Sequence, residues 1–257
     1  MADPELAAAV DENYFASFRI MCEAARKPVH ESGGVLSCAT GAPVAFLNIA
    51  FVTRQLERPE AALRESMAFF DGLGLPFVVR IREGVDPAAE RAAERLGMPY
   101  SDTVPGMALP SIPPPPPVPA GLEIRTVGRG IDIPRFQGVI AEGFEMPIDL
   151  ARQLFIEDVL VGAPGIEAYL GFADGLPVAT STLVRTGAVA GVYNVATLDS
   201  HRRRGIGEAM TWHAVQRGAE MGCVIGALQA SEMGQPVYER MGFRVVAPYR
   251  TFHRPEV

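Results

Sequence analysis

The segment Arg202–Gly207 constrains the fold of this chain more than any other, because of the elements that flank it. A strand-like run, Val192 to Leu198, precedes it, and an amphipathic helix pattern begins at Ile206. This order places a basic turn with two glycines between a strand and a helix. Several backbone N–H groups then point at one place. First-turn N–H groups have no intrahelical partner, and the helix dipole adds partial positive charge. The pattern therefore predicts a phosphate-binding site.

The glycines strengthen this prediction, and the sequence that follows gives it context. Gly205 and Gly207 have no Cβ, so a diphosphate can approach their backbone closely. Taken alone, R-x-x-G-x-G is a weak signal, since a solvated helix entry has the same composition. A second apolar strand, Cys223 to Leu228, follows the helix, and a short helix then carries Tyr238 four residues before the pair Gly242-Phe243.

These two motifs resemble those of the GNAT superfamily of acyl-CoA-dependent N-acyltransferases. Its members carry [QR]-x-x-G-x-[GA] after the fourth strand and a tyrosine four residues before a Gly-Phe pair, and the resemblance covers roughly residues 120–250. It implies an α/β (α+β) fold, in which a mixed, mostly antiparallel sheet is flanked by helices. It also implies acetyl-CoA as cosubstrate, with the pyrophosphate on the N–H groups of residues 203–207 and pantetheine along strand four. The cofactor-binding residues expected on this basis are Val195, Ala196, Thr197, Leu198, Arg202, Arg203, Arg204, Gly205, Ile206, Gly207 and Ser231.

The resemblance also implies a catalytic role for Tyr238. Its phenol can protonate the departing thiolate, although the ring could instead serve only to pack the helix on the sheet. Ser231 stands where many members have an asparagine that contacts the cofactor. The general base is left unassigned, because Glu142, Glu145 and Asp199 are each better explained as solvated charges. An amine that arrives neutral needs no base.

A proline-rich segment, Ser111–Pro119, divides the chain. Its five consecutive prolines cannot join a helix, so we expect a stiff spacer, the alternative being a docking site for a proline-recognising partner. The predicted organisation is a degenerate GNAT-like domain at 1–110, a linker at 111–119 and a catalytic GNAT domain at 120–257.

The two sides of this segment resemble each other, which indicates an old duplication. Thr40–Ala50 aligns with Thr186–Ala196 at an offset of 146, and Glu94–Met98 aligns with Glu239–Phe243 at an offset of 145. We therefore predict tandem GNAT-like domains, with chance similarity of two α/β units as the alternative.

The two halves differ at the positions expected to bind the cofactor and to catalyse the reaction. The counterpart of the arginine–glycine turn, Thr53–Glu60, contains no glycine, and its Glu57 would repel a diphosphate. Ala93 occupies the position of Tyr238. The first half is thus expected to keep the fold without the cofactor motif, and to shape a substrate cleft or a dimer surface.

Hydrophobic periodicity and turn residues predict the remaining elements. In the second half they are a strand, two helices and a hairpin around Asp174-Gly175, followed later by a final strand. In the first half they are a helix, a strand and a second helix. The predicted bounds are Leu122–Thr126, Ile133–Glu142, Ile148–Val161, Glu167–Phe172, Pro177–Val184 and Val245–Phe252, and in the first half Pro59–Asp71, Phe77–Ile81 and Pro87–Leu96.

Composition excludes several classes of protein. The net charge of −7 argues against nucleic-acid binding, and the longest apolar run, Ala42–Val52, is too short to span a bilayer. No signal peptide is apparent, and three cysteines without a C-x-x-C fit reduced thiols in a cytoplasm. Four scattered histidines show no metal-ligand spacing, so no metal is expected. Only one of the 23 basic residues is a lysine, Lys27, which indicates a GC-rich bacterial genome.

The leading hypothesis is an N-acetyltransferase that moves the acetyl group of acetyl-CoA to a primary amine of a small molecule or peptide. Two alternatives stay open: a non-catalytic acyl-CoA-binding regulatory module, and a transferase for longer acyl groups. Neither nucleic acid nor membrane is an expected partner, and a homodimer is possible. No motif identifies the acceptor.

Overall fold

A computed structural model describes residues 4–253 of the chain. A long helix, α1, opens the fold and is followed by two runs of alternating strands and helices. In the first half the elements are α1 (Pro4–Ala24), β1 (Val29–Ser32), β2 (Val35–Ala39), β3 (Asn48–Val52), α2 (Pro59–Leu73), β4 (Val78–Arg82), α3 (Pro87–Arg95) and β5 (Tyr100–Leu109). In the second half they are β6 (Leu122–Thr126), α4 (Asp132–Gly143), α5 (Ile148–Leu154), α6 (Glu157–Leu160), β7 (Ile166–Ala173), β8 (Leu176–Thr186), β9 (Val189–Thr197), α7 (Ile206–Glu220), β10 (Ile225–Gln229), α8 (Gln235–Arg240) and β11 (Arg244–Phe252).

The chain forms two compact units. The residues that make up each unit are not simply those before and after the proline-rich segment. The C-terminal unit comprises the chain up to Tyr14 together with Met107–Arg244, and the N-terminal unit comprises Phe15–Gly106 together with the chain from Val245. Strand β11 consequently lies in the N-terminal unit, where it pairs antiparallel with β4. The domain limits read from the sequence remain a prediction about folding units.

Each unit has a mixed, mostly antiparallel sheet, which confirms the predicted fold class. In the C-terminal unit β6–β7, β7–β8 and β8–β9 pair antiparallel, and β9–β10 pair parallel. In the N-terminal unit β1–β2, β2–β3 and β4–β11 pair antiparallel, and β3–β4 pair parallel. Apolar side chains of β8 and β9 pack under α7 in the C-terminal unit, and those of β3 and β4 pack under α2 and α3 in the N-terminal unit.

One predicted helix, Ile148–Val161, is wrong, because the structure divides it into α5 and α6. The break falls at Phe155, whose carbonyl accepts a hydrogen bond from the Gln137 side-chain amide at 2.9 Å. The Phe155 ring packs on Phe136 with centroids 5.6 Å apart. This carbonyl and this ring are fixed by α4, so a tertiary contact prevails over the continuous apolar pattern.

The N-terminal part of α1 is anchored to the C-terminal unit through Asn13. This side chain is fully buried, and its amide nitrogen donates to the Val184 carbonyl at 2.9 Å and to the Thr186 hydroxyl at 2.8 Å. Its carbonyl oxygen accepts from the Tyr193 hydroxyl at 2.7 Å. Gly191 makes room for the amide, since a Cβ there would lie 1.9 Å from the Asn13 oxygen. The contact orients Tyr193 of β9, one residue before the site described next.

Candidate active site

The site begins where the parallel pair β9–β10 stops. Three residue pairs are in register, the last being Gly191 with Ala227. Strand β9 continues beyond this pair to Thr197, and β10 continues to Gln229. Backbone groups of β9 beyond Gly191 therefore face a gap between two strands, where an extended ligand can pair with them.

A β-bulge lies in β9 beside this gap. Thr180 of β8 is paired with Ala196, whereas Thr182 is paired with Tyr193, so Asn194 and Val195 together oppose a single residue of β8. Asn194 has a φ of 53°, a left-handed conformation in which asparagine is enriched among non-glycine residues. Its carbonyl accepts from the Thr180 hydroxyl at 2.8 Å, and its amide donates to the Thr182 hydroxyl at 3.3 Å. The bulge is thus held by side chains and turns the backbone at Val195.

The arginine–glycine turn has the geometry expected of an anion site. Arg203 and Gly205 both have left-handed backbone, with φ of 61° and 75°. Gly205 is the N-cap of α7 and receives no side-chain cap, so the first-turn N–H groups have no intrahelical or side-chain cap partner. Ile206 is buried and anchors the turn, whereas the side chains of Arg203 and Arg204 are exposed beside it. Converging N–H groups beside two exposed cations suit a diphosphate.

Arg202, the first residue of the motif, forms contacts within the protein, whereas the sequence analysis expected it to bind the cofactor. Its guanidinium donates to the carbonyls of Thr197 and Gly143 at 3.2 and 3.1 Å and pairs with the Asp199 carboxylate at 2.9 Å. Its backbone N–H donates to the Asp199 carbonyl at 3.2 Å. Arg202 therefore joins the end of β9, the phosphate turn and the end of α4, and the donors free for a diphosphate are those of residues 203–207.

The other expected cofactor residues of β9 lie along the gap and its end. Val195 packs on the core under α7, and Ala196 is buried on the opposite face, where a Cβ on Gly143 would lie 2.9 Å from its methyl carbon. The Leu198 N–H donates to the Val178 carbonyl at 2.9 Å. A Cβ on Gly207 would lie 3.5 Å from the Thr197 hydroxyl oxygen, so the end of β9 adjoins the first turn of α7.

Tyr238 is connected to α7 by a hydroxyl chain. Its phenol forms a hydrogen bond with the buried Thr211 side chain, and the Thr211 hydroxyl donates to the Gly207 carbonyl at 2.9 Å. Burial raises the pKa of Tyr238 above its ordinary value of 10, and the hydrogen bond with Thr211 opposes this shift. The ring packs edge-on against Phe243 with centroids 6.0 Å apart.

Ser231 has a local structural contact. Its hydroxyl oxygen accepts from the Gly234 N–H at 3.1 Å, and its carbonyl accepts from the Gln235 N–H at 2.9 Å. These contacts shape the turn that leads into α8. The hydroxyl proton remains available, so a contact between Ser231 and the cofactor stays a prediction.

Gln229 is a polar residue of this region that the sequence analysis missed. It ends β10 beside the gap, and both its side-chain nitrogen and its oxygen are buried with no hydrogen-bond partner among the described residues. Its neighbours Leu228 and Ala230 face the core under α7, so Gln229 faces the opposite side of the sheet. Buried amides are almost always paired, so this one calls for a ligand. No local motif marks the position, because only the end of the β9–β10 pairing makes it special.

The acidic candidates for a base are all exposed. Glu142 and Glu145 lie at the end of α4 and in the loop before α5, and Asp199 is paired with Arg202. The same loop exposes two large apolar side chains, Phe144 at 47% and Ile148 at 39%. Since Gly143 touches both Ala196 and Arg202, this loop borders the bulged end of β9.

The corresponding region of the N-terminal unit is built differently. Strands β3 and β4 stay in register up to Val52 with Ile81, the last residue of β3, so no gap opens between them. Helix α2 begins with Pro59, which has no N–H, and its first turn carries Glu60, paired with Arg95 at 2.6 Å. Ala93 is buried where the second unit has Tyr238.

Comparison with known proteins identifies a family for part of the chain. Residues 160–246 match the family model described as "Acetyltransferase (GNAT) domain". This part of the chain is therefore a GNAT domain, which confirms the resemblance read from the motifs. No curated protein matches the sequence at a significant level.

Solved structures share the fold over the whole chain. A GCN5-related N-acetyltransferase from Kribbella flavida is 21% identical with a TM-score of 0.76, covering 98% of this chain and 96% of that one. A tandem GNAT protein from the clavulanic acid biosynthesis pathway is 18% identical with a TM-score of 0.60, covering 100% and 98%. At these identities the likeness shows the fold, a tandem GNAT arrangement.

Residues 4–253 lack two features that would indicate other kinds of site. Within that range no helix is both long and apolar enough to cross a membrane. Nor does the same stretch contain a group of three or more His, Cys, Asp or Glu side chains that could hold a metal ion.

A glycine substitution tests the phosphate turn. Gly205→Val places a β-branched residue at φ 75° and a methyl-bearing carbon where diphosphate would approach, so CoA affinity measured by calorimetry should fall at least about 100-fold. Gly175→Val is the matched control, because Gly175 has φ 77° in open space at the β7–β8 turn. Undiminished CoA affinity of Gly205→Val would contradict the phosphate-site assignment.

Proposed function

We propose that the protein is an acetyl-CoA-dependent N-acetyltransferase whose acceptor is a primary amine of a small molecule or peptide. One observation supports this most: the gap between β9 and β10, the uncapped turn of α7 and the Tyr238 phenol occur together in one unit. The gap suits the extended pantetheine arm of an acyl-CoA, the turn suits its diphosphate, and the phenol suits its sulfur. A GNAT domain over residues 160–246 is consistent with all three.

The backbone supplies binding and electrostatic stabilisation. The N–H groups of residues 203–207 hold the diphosphate, and the edge of β9 beyond Gly191 pairs with the pantetheine amides. Leu198 is not part of this free edge, because its N–H donates to the Val178 carbonyl and its carbonyl accepts from the His201 N–H. A β9 N–H at the bulge, of Val195 or Ala196, donates to the carbonyl oxygen on which negative charge develops. Holding the two reactants in one cleft lowers the entropic barrier, in favourable cases by about 7–11 kcal/mol. The thioester supplies the activated acyl carbon.

Tyr238 supplies the proton that the reaction needs. As the amine nitrogen bonds to the acyl carbon, the carbon–sulfur bond breaks and the phenol proton moves to the sulfur. The product nitrogen loses its extra proton to water, and a proton from water restores the Tyr238 phenol. Among residues 4–253 no buried carboxylate adjoins β9 that could serve as a base instead. Thr211 is a positioning residue: it fixes the phenol oxygen, and its own hydroxyl can turn from Gly207 to the tyrosinate after transfer.

Gln229 and the loop before α5 are assigned to the acceptor side. The carboxamide of Gln229 offers a donor and an acceptor that lack partners, and it faces the side of the sheet on which Ala196 lies. Phe144 and Ile148 offer apolar surface at the border of the same region. An amine attached to a partly apolar body with a polar group fits these side chains.

The proton donor is tested by Tyr238→Phe. The variant should bind acetyl-CoA with unchanged Kd, since the phenol does not hold the diphosphate, while kcat falls about 100- to 10,000-fold. Free thiol released from acetyl-CoA with a panel of amines is the readout.

In the unaltered enzyme kcat should also fall above pH 10, because the acid form is lost only when the pH passes the raised pKa of Tyr238.

The outcomes separate the proposal from its alternatives. Tight acetyl-CoA binding without turnover of any amine, and with no effect of Tyr238→Phe on any rate, would contradict the enzyme and leave an acyl-CoA-binding regulatory module. Faster turnover of propionyl- or succinyl-CoA than of acetyl-CoA would indicate a transferase for longer acyl groups.

The role of Gln229 is tested by Gln229→Met, which keeps the length and removes both unpaired polar atoms. The free energy of unfolding should rise by about 1 kcal/mol, while kcat/KM for the acceptor falls at least about tenfold. Chemical denaturation and steady-state kinetics measure the two effects. Gln137→Met is the control, because its amide has a partner, so stability should fall there. A Gln229→Met variant with lower stability and unchanged kcat/KM would contradict a ligand-binding role.

A further inference from the structure

A cavity of about 280 Å³ lies between the proline-rich segment and α7, within the C-terminal unit. One wall is formed by Pro115–Pro119 and the other by one stripe of α7. The stripe consists of residues spaced by three and four, beginning at the N-cap: Gly205, Glu208, Ala209, Trp212, His213 and Gln216. The cavity therefore starts at the turn proposed to hold the diphosphate.

The proline wall is fixed in place by contacts at both ends. The Gln216 amide donates to the Pro113 carbonyl at 2.5 Å, and the Leu122 N–H donates to the Pro119 carbonyl at 3.1 Å. Ile112 packs on the core under α7. A stiff segment anchored in this way keeps the cavity open without a ligand.

The direction of an acyl-CoA across the helix end follows from the two glycines. Gly205 and Gly207 are two residues apart and so lie about 200° apart around the helix. Gly207 adjoins Thr197 at the end of β9, which is the side of the pantetheine gap. Gly205 adjoins Pro119, at 3.6 Å from an added Cβ, which is the side of the cavity. An acyl-CoA whose diphosphate lies over this turn thus has its pantetheine arm in the gap and its adenosine end at the cavity.

The chemistry of the cavity suits a flat heteroaromatic ring. The proline rings provide apolar faces for stacking, and the Trp212 indole lines the cavity beside them. Glu208 provides an acceptor for an amino group or a hydroxyl. Trp212 is only 6% exposed, and its indole N–H has no hydrogen-bond partner among the described residues. Burial lowers the pKa of His213, so its imidazole is neutral at neutral pH and does not repel a neutral ring.

We propose that this cavity takes the purine of the acyl-CoA, so that the proline-rich segment is a wall of the cofactor site as well as a connection between the halves. The proposal rests on the proposed function, since it places one end of the same ligand. It concerns the adenosine end only and is separable from the phosphate turn and the chemistry at the thioester.

The single tryptophan of the chain provides a direct readout. The full chain is titrated with CoA and with 4′-phosphopantetheine, which lacks the adenosine, and saturation by each is established by calorimetry. Stacking of the purine should change the Trp212 emission at saturating CoA and leave it unchanged at saturating 4′-phosphopantetheine.

A cavity-filling variant tests the same point by affinity. Ala209→Leu occupies the cavity and should raise the Kd of CoA about tenfold or more while leaving that of 4′-phosphopantetheine unchanged. Ala219→Leu is the matched control, on the same helix but outside the cavity, and should change neither Kd.

The outcomes distinguish this inference from the function on which it rests. CoA binding that leaves Trp212 emission unchanged, or equal CoA affinity of Ala209→Leu and the unaltered protein, would overturn the purine site and leave the transferase intact. Failure of both compounds to bind the unaltered protein would overturn the proposed function and this inference with it.

Discussion

The end of the β9–β10 pairing at Gly191 and Ala227 is the constraint on which the rest of the site depends. Beyond this point β9 is no longer paired with β10, and the bulge at Asn194 interrupts its pairing with β8. At the end of β10 the Gln229 amide has no hydrogen-bond partner among the described residues. If β9 and β10 were paired to the end of β10, there would be no gap between them.

The N-terminal unit shows what such a sheet looks like. Its β3 and β4 remain paired to Val52 and Ile81, and Asn48, the residue aligned with Asn194, is fully buried. The Asn48 amide donates to three carbonyls, those of Ala42, Val44 and Pro76, and so serves to fix a loop. Together with Pro59 at the start of α2, these features are the physical reasons for expecting no acyl-CoA site in the N-terminal unit.

Local chemistry made parts of this fold predictable. The Asp174-Gly175 turn has positive φ at both residues, as its sequence favours, and β6 has the predicted bounds Leu122–Thr126. Long-range contacts explain what was missed. The burial of Asn13 depends on strands more than 170 residues away, and the break at Phe155 depends on Gln137.

The same holds for the site. The phosphate turn and Tyr238 carry motifs, and the structure brings both to α7. The use of the Arg202 guanidinium as a brace, the orphaned amide of Gln229 and the cavity under the prolines arise only from packing between elements. Motifs can therefore indicate the cofactor, whereas the surfaces that select a particular acceptor have no local pattern.

We propose that only the C-terminal unit binds acyl-CoA. Its parallel strand pair is open and its helix α7 starts without a side-chain cap, whereas in the N-terminal unit the strands stay paired and α2 begins with proline. Calorimetric titration of the full chain with acetyl-CoA tests this most directly. The expected result is one equivalent bound per chain, and its loss in Gly205→Val. Two equivalents per chain, or one equivalent that survives this substitution, would contradict the account.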